Sequence, residues 1–458
     1  MIPSTVIDDL IARRPEAVQL LSQLLAIPTV SADPGCAELL QKAASTLSEL
    51  FHSAGAGWVT EVVPTAGHPI VWARYRRPGN TRRAIVYGHY DVQPADPLNL
   101  WTTPAFEPTI RDGRIYARGA TDDKGQMLTH VLSALAWMRA EGSLPIDLDF
   151  IIEGEEEVGS ENLERFLEQH REELKGDVAV ISDTSQYAPG WPAITTGLRG
   201  IFACEIKVHG PRKDLHSGVF GGAIPNPIRE LARLLSLLHN EQNEVQIPGF
   251  YEGVIPLTPE DRTGFTELPF DEASFLNETG AAGLRGEAGY TAIEQRWARP
   301  TCEFNGIFGG YTGPGPKTIV PACASAKITC RLVADQDPQR LMKSLEAFLQ
   351  ANLHPACRLE FTGDHGCPAF LMDRTSPYLA AASRAVEAGF GKAPVFIREG
   401  GSIPVVATFK RLLGLDTLLL GWGQNTDNLH SPDEHFSLED FHRGTLASAA
   451  LWAELARL

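Results

Sequence analysis

The chain has 458 residues, 43% hydrophobic and 21% charged, an ordinary globular composition that excludes a disordered, collagenous or coiled-coil chain. Its 40 Lys and Arg stand against 57 Asp and Glu, a formal charge of −17, which argues against nucleic acid and an anionic membrane surface as partners. The 7 cysteines are odd in number and lack a Cys-x-x-Cys pair, so neither a disulfide framework nor a thiolate zinc site is expected, and any metal must be held by His and carboxylate.

The first residues lead into Asp8-Asp9 without the basic and apolar regions of a signal peptide. No apolar run approaches the ~18 residues of a membrane helix, and the expected location is the cytoplasm. Leu10, Ile11, Val18, Leu21, Leu24 and Leu25 fall on one helical face. Residues 84–87 read as a short buried strand. Met127, Leu128, Val131, Leu132, Leu135 and Met138 form a helical stripe, and 148–152 is a strand. Ser160 is placed to cap the helix that follows, and 178–181 is another strand. This alternation predicts an α/β sheet flanked by helices.

The texture then changes. Residues 201–209 and 324–333 alternate like half-buried strands, with helices expected at 226–239 and 339–353. Between them, 240–300 is acidic, polar and irregular. From about 375 the α/β texture returns, with a helix at 377–390, a strand at 417–422 and a closing helix at 438–458. The expected fold is therefore α/β with a discontinuous outer domain, residues 1–199 and 373–458, interrupted by an inserted α+β domain, 200–372.

Five polar clusters stand out. Gly88-His89-Tyr90-Asp91, Glu155-Glu156-Glu157, Asp183 and His430 follow expected strands, and Asp122-Asp123 precedes a helix. Ligands of open α/β sheets bind beyond the carboxyl ends of the strands. Each cluster alone has a plainer reading: a surface histidine, a capping aspartate, a solvated run of glutamates. Together, two histidines and several carboxylates at sheet ends suit a Zn²⁺ or Mn²⁺ site. Residues 310–318 resemble a phosphate loop, but Pro316 and Pro321 forbid the helix that motif needs. No Gly-x-Ser-x-Gly elbow points to a serine hydrolase.

At these residues the sequence resembles the di-metal exopeptidase family of aminoacylase, carboxypeptidase G and succinyl-diaminopimelate desuccinylase, closest to its dipeptidase and carnosinase branch. The motifs are Gly88-His89-Tyr90-Asp91-Val92-Gln93-Pro94, the run 118–125 through Asp122-Asp123-Lys124-Gly125, and Glu153-Gly154-Glu155-Glu156-Glu157-Val158-Gly159-Ser160. Ser182-Asp183, Asp214-Leu215-His216-Ser217-Gly218, Arg398-Glu399-Gly400-Gly401-Ser402 and His430-Ser431-Pro432 complete them. The resemblance runs from about residue 20 onward and anchors poorly through 240–300.

It implies a helix-flanked mixed sheet with a lid and dimerisation domain inserted. It also implies two divalent ions per subunit, Zn²⁺ with Mn²⁺ as alternative. His89 and Asp183 would hold one, Glu157 and His430 the other, and Asp122 would bridge them with a cis peptide after it. Glu156 would be the base activating a metal-bridging water, and Glu155 would face solvent or be structural. Asp91 would hydrogen-bond the second nitrogen of His89. His216 would stabilise the oxyanion. Arg331, Thr318, His365, Glu399, Gly401 and Ser402 would contact substrate. A homodimer is implied, with His216 and Thr318 contributed across subunits. The implied reaction is hydrolysis of dipeptides, a small peptide substrate; the alternative is an N-acyl-amino-acid amidohydrolase with the same metal chemistry.

Overall fold

A computed structural model describes residues 2–458 apart from 364, 365 and 402. Two compact units are present. One comprises Met1–Thr196, Met372–Ile397 and Pro404–Leu458; the other comprises Gly197–Leu371 and Arg398–Ile403.

The first unit is built on a mixed sheet. Its centre runs in the order Asp147–Glu153, Arg83–His89, Val178–Ile181, Thr417–Gly421, and these four strands are parallel. Ile70–Tyr75 and then Trp58–Val63 extend it antiparallel on one side, and Ala193–Leu198 on the other. Every residue of Val178–Ile181 and Thr417–Gly421 is buried, as parallel strands covered on both faces require.

Helix Lys124–Glu141 begins directly after Asp123 and stops at Gly142, whose φ of 67° gives a left-handed cap. Its expected single apolar stripe is an underestimate, because Lys124 to Met138 are all buried. The strand Arg83–His89 contacts this helix, and so do the helices Ser4–Ala12, Arg14–Leu25 and Leu438–Leu455. Trp137 donates to Ala449 O at 2.9 Å and Trp452 to Ser133 Oγ at 2.8 Å, so the last helix is keyed to this one by polar as well as apolar contacts.

The apolar face expected across residues 10–25 belongs to two helices, Ser4–Ala12 and Arg14–Leu25, with Pro15 in the first turn of the second. Ser160 makes no side-chain cap. Its backbone is left-handed at φ 54°, and its hydroxyl instead donates to buried Glu153 at 2.8 Å.

The second unit holds a four-stranded antiparallel sheet in the order Thr301–Gly309, Cys323–Leu332, Gly200–His209, Arg358–Gly363. Helices Pro227–Ser236 and Pro338–Asn352 supply Leu231, Leu234, Leu341, Leu345 and Leu349 to a core completed by Phe202, Ile206, Val208 and Ile328 of the strands. The alternate residues, Glu205, Lys327 and Arg331 among them, face away from that core. A two-stranded ribbon pairs Leu215–His216 with Ile319–Val320. The segment expected to be irregular contains three short helices, Pro259–Thr266, Glu272–Thr279 and Ala292–Ala298. Capping boxes at Thr258/Asp261 and Thr291/Glu294 start the first and third, local signals that offset their polar composition.

Candidate metal and catalytic site

The four parallel strands deliver most of the polar clusters to one end of the sheet. His89 is the last residue of Arg83–His89 and pairs with Glu153. Glu156 and Glu157 follow in a short turn, Glu156–Val158, closed by Gly159 at φ 101°. Asp183 lies two residues beyond Val178–Ile181, and His430 nine residues beyond Thr417–Gly421. Asp122 arrives from the helix side of the sheet, and the Asp122–Asp123 peptide bond is cis. Gly88 permits that approach: a Cβ there would lie 2.5 Å from Met127 Cγ and 2.9 Å from Asp123 Oδ2. The Asp123 carboxylate thereby reaches the His89 N–H at 3.3 Å.

Two groups of side chains converge, His89 with Asp122 and Asp183, and Asp122 with Glu157 and His430. In each, one ligand atom per residue lies within 4.8 Å of the others. His89 Nε2 is 3.1 Å from Asp122 Oδ1; His430 Nε2 is 2.9 Å from Asp122 Oδ2 and 3.5 Å from Glu157 Oε2. The resemblance places Asp91 on the second nitrogen of His89. The hydrogen-bond partner of His89 Nδ1 is the Asp91 carbonyl at 3.1 Å, with the carboxylate at 3.4 Å. That carboxylate accepts the backbone N–H groups of Glu156 at 3.2 Å and Glu157 at 3.1 Å, so Asp91 sets the turn carrying both glutamates. Glu155 is buried rather than solvent-facing, and it accepts from Asn162 at 2.8 Å.

The electrostatics are those of an over-supplied anion pocket. Burial alone would pull the His89 imidazole down, but Asp122 and Asp91 hold it well above the ordinary histidine value. Burial opposes ionisation of Asp122, yet His430 and His89 keep it below the usual carboxylate range. Burial, then repulsion from Asp122, pushes Glu157 up to about 7. Burial raises Glu156 as well, and burial with Asp122 and Asp123 raises Asp183. His89 Nε2 faces Asp122 Oδ1 at 3.1 Å without the alignment of a good hydrogen bond. A buried imidazole nitrogen so placed among crowded carboxylates fits divalent cations, whose charge relieves the repulsion.

Sequence reasoning assigned no role to several supporting residues. Glu434 is fully buried and accepts from Arg118 Nη1 at 2.8 Å and from the backbone N–H of Gly119, Thr121 and Asp122 at 2.9, 3.0 and 3.1 Å. It ties the Asp122 loop to the segment carrying His430. Gln93 donates to Glu157 Oε2 at 2.8 Å. Both lie in or beside quoted motifs, which was the available signal.

The remaining expected residues belong to the second unit. His216 is on the two-stranded ribbon and Thr318 directly precedes its second strand, with Ser217 N donating to Thr318 O at 3.0 Å. Arg331 is on Cys323–Leu332, and Glu399 and Gly401 are in the 398–403 stretch. His365 and Ser402 lie outside the described residues.

Residues 85–454 match the model of peptidase family M20/M25/M40. The chain is 32% identical to a Cys-Gly metallodipeptidase of Schizosaccharomyces pombe, over 97% of this chain and 96% of that one. It is 30% identical to the human Beta-Ala-His dipeptidase, over 85% and 78% respectively. Among solved structures, an M20 family metallo-carboxypeptidase from Sulfolobus solfataricus superposes with a TM-score of 0.82 at 30% identity, covering 97% of this chain and all of that one.

Proposed function

The chain belongs to peptidase family M20/M25/M40 and is a hydrolase of peptide bonds, and on that footing we propose that it is a dinuclear metal-dependent dipeptidase. The observation that carries this reading is the pair of ligand groups sharing Asp122, with Glu156 beside them and outside both. His89 and Asp183 would hold one ion and Glu157 and His430 the other, with Asp122 belonging to both groups. The ions are assigned as Zn²⁺, with Mn²⁺ the alternative. When bound, such ions polarise a carbonyl and make water a stronger acid at neutral pH.

The protein's own groups do the rest. Glu156 takes a proton from water and returns it to the leaving nitrogen, a role for which burial has already raised its proton affinity. Asp91 fixes Glu156 and Glu157 through their backbone N–H groups. His216 donates to the developing oxyanion. Arg331 binds the substrate's terminal carboxylate, assisted by Thr318, His365, Gly401 and Ser402, and Glu399 pairs with its free amine. Two relatives named as dipeptidases support the substrate class.

The deciding experiment compares turnover of unblocked dipeptides with that of N-acetyl amino acids. Preference for dipeptides is expected; preference for the acetylated set would replace this reading by an N-acyl-amino-acid amidohydrolase. Chelation should abolish activity and added Zn²⁺ restore it.

We further propose a homodimer in which His216 and Thr318 act across subunits. Supporting this, Thr301–Gly309 is an edge strand of its sheet and exposes Phe304, Ile307 and Phe308; such edges invite pairing. Ser217 N donates to Thr318 O at 3.0 Å, which joins the segments that carry His216 and Thr318. We propose a cytoplasmic location, on the sequence reading that the odd cysteine count without a Cys-x-x-Cys pair does not suit a disulfide framework.

A further inference from the structure

Glu434 gathers an unusual number of donors for one side chain. It is fully buried, which a carboxylate tolerates only when charged and polar partners surround it. Its Oε2 accepts from Arg118 Nη1 at 2.8 Å and from Gly119 N at 2.9 Å, and its Oε1 accepts from Thr121 N at 3.0 Å and from Asp122 N at 3.1 Å. Gly119 is left-handed at φ 84°, the kind of backbone turn that brings successive N–H groups round to face one anion. A side chain is barred there as well, since a Cβ would lie 2.7 Å from Val92 Cγ1. The two segments are laced together further. Ala117 N donates to Glu434 O at 3.1 Å, and Thr121 Oγ1 donates to His435 O at 2.7 Å. The Glu434 carboxylate is thus the peg from which the Asp122 backbone hangs.

Asp122 belongs to both ligand groups, whereas His89, Asp183, Glu157 and His430 belong to one each. A residue that fixes the backbone of the shared ligand therefore acts on both ion positions at once. We propose that Glu434 is a positioning residue that sets Asp122 for both metal positions, so that its loss weakens the binding of both ions together. The inference rests on the metal assignment of the dipeptidase reading and adds a chemical requirement, a full carboxylate at position 434. Glutamine has one acceptor oxygen. Either Arg118 with Gly119, or Thr121 with Asp122, would then face its amide nitrogen, donor against donor, and the loop would have to shift.

The test strips the full chain of metal with a chelator and titrates it with Zn²⁺ in competition with a chromophoric chelator, which reads affinity without turnover. The wild type should bind two ions. Glu434→Gln should weaken both binding steps by at least about tenfold, the usual effect of losing a group that orients a metal ligand. Glu434→Asp keeps the charge on a shorter arm and should recover part of the loss at both steps. Wild-type affinity at both steps in Glu434→Gln would overturn the proposal and leave Glu434 as a support for the fold alone. A loss confined to one step would overturn it too, because the shared ligand would then be unaffected. Melting of each metal-free variant guards against misfolding. If Glu434→Gln melts below the titration temperature, Glu434→Asp carries the comparison, with a loss of at least about threefold at both steps expected and unchanged affinity overturning the proposal. A wild type that binds one ion would refute the dinuclear reading instead, and unchanged affinity for that ion in the variants would still overturn the role of Glu434.

Discussion

Glu156 and Glu157 are neighbours with opposite duties in the proposed mechanism, and substitution separates them. Glu156→Gln should retain both ions, measured by elemental analysis, while kcat falls by about 10²–10⁴-fold, the usual worth of a general base. Retained turnover would remove Glu156 from that role. A second residue-scale expectation concerns His130, fully buried with Nε2 2.8 Å from Ser182 Oγ. Burial pulls its imidazole down to about 3. Above the unfolded histidine value near 6.5 both states are neutral and nothing is lost. Below it the unfolded chain binds a proton that the native state refuses, so native stability falls as pH drops from 6.5 towards 3, by up to about 1.4 kcal/mol per pH unit. His130→Gln should flatten that decline by close to one proton, read from urea midpoints across the window.

At the scale of elements, the helices between residues 258 and 299 are tied down by charge. Asp261 completes the capping box of Pro259–Thr266 and pairs with Arg398 at 3.2 Å, both largely buried. Asp261→Ala removes a cap and leaves a buried cation short of a partner, a loss of about 3 kcal/mol or more. Limited proteolysis should then cut within 258–299 before the rest of the chain. These helices also show where sequence reading falls short. Parallel strands such as Val178–Ile181 were legible because burial on both faces demands continuous apolar runs, and Pro377–Phe390 because its first turn and Gly391 mark its ends. The 258–299 helices are short and polar, and only their capping boxes betray them. The residues proposed to hold metal were legible as motifs, at strand ends and, for Asp122, before a helix. Glu434 was not, because its meaning depends on backbone N–H groups more than 300 positions away.

For the whole molecule, the proposed dimer makes activity depend on assembly. Ile307→Asp with Phe308→Asp places charge on the exposed edge strand, an element that carries none of the proposed ligands. Sedimentation should show monomers that keep their ions but lose most activity, since His216 and Thr318 no longer reach a partner. Full activity in such monomers would confine both residues to their own subunit or remove them from the mechanism.

The strand Thr417–Gly421 lies between Val178–Ile181 and Ala193–Leu198, yet it is translated after more than two hundred further residues have been made. Until then a nascent chain has a gap in the middle of its sheet, and neither His430 nor Glu434 exists to complete the site. Long-range closure of this kind is slow. The proposed ligand His430 therefore joins the others only after Thr417–Gly421 has been made, which ties hydrolytic competence to the late closing of the sheet.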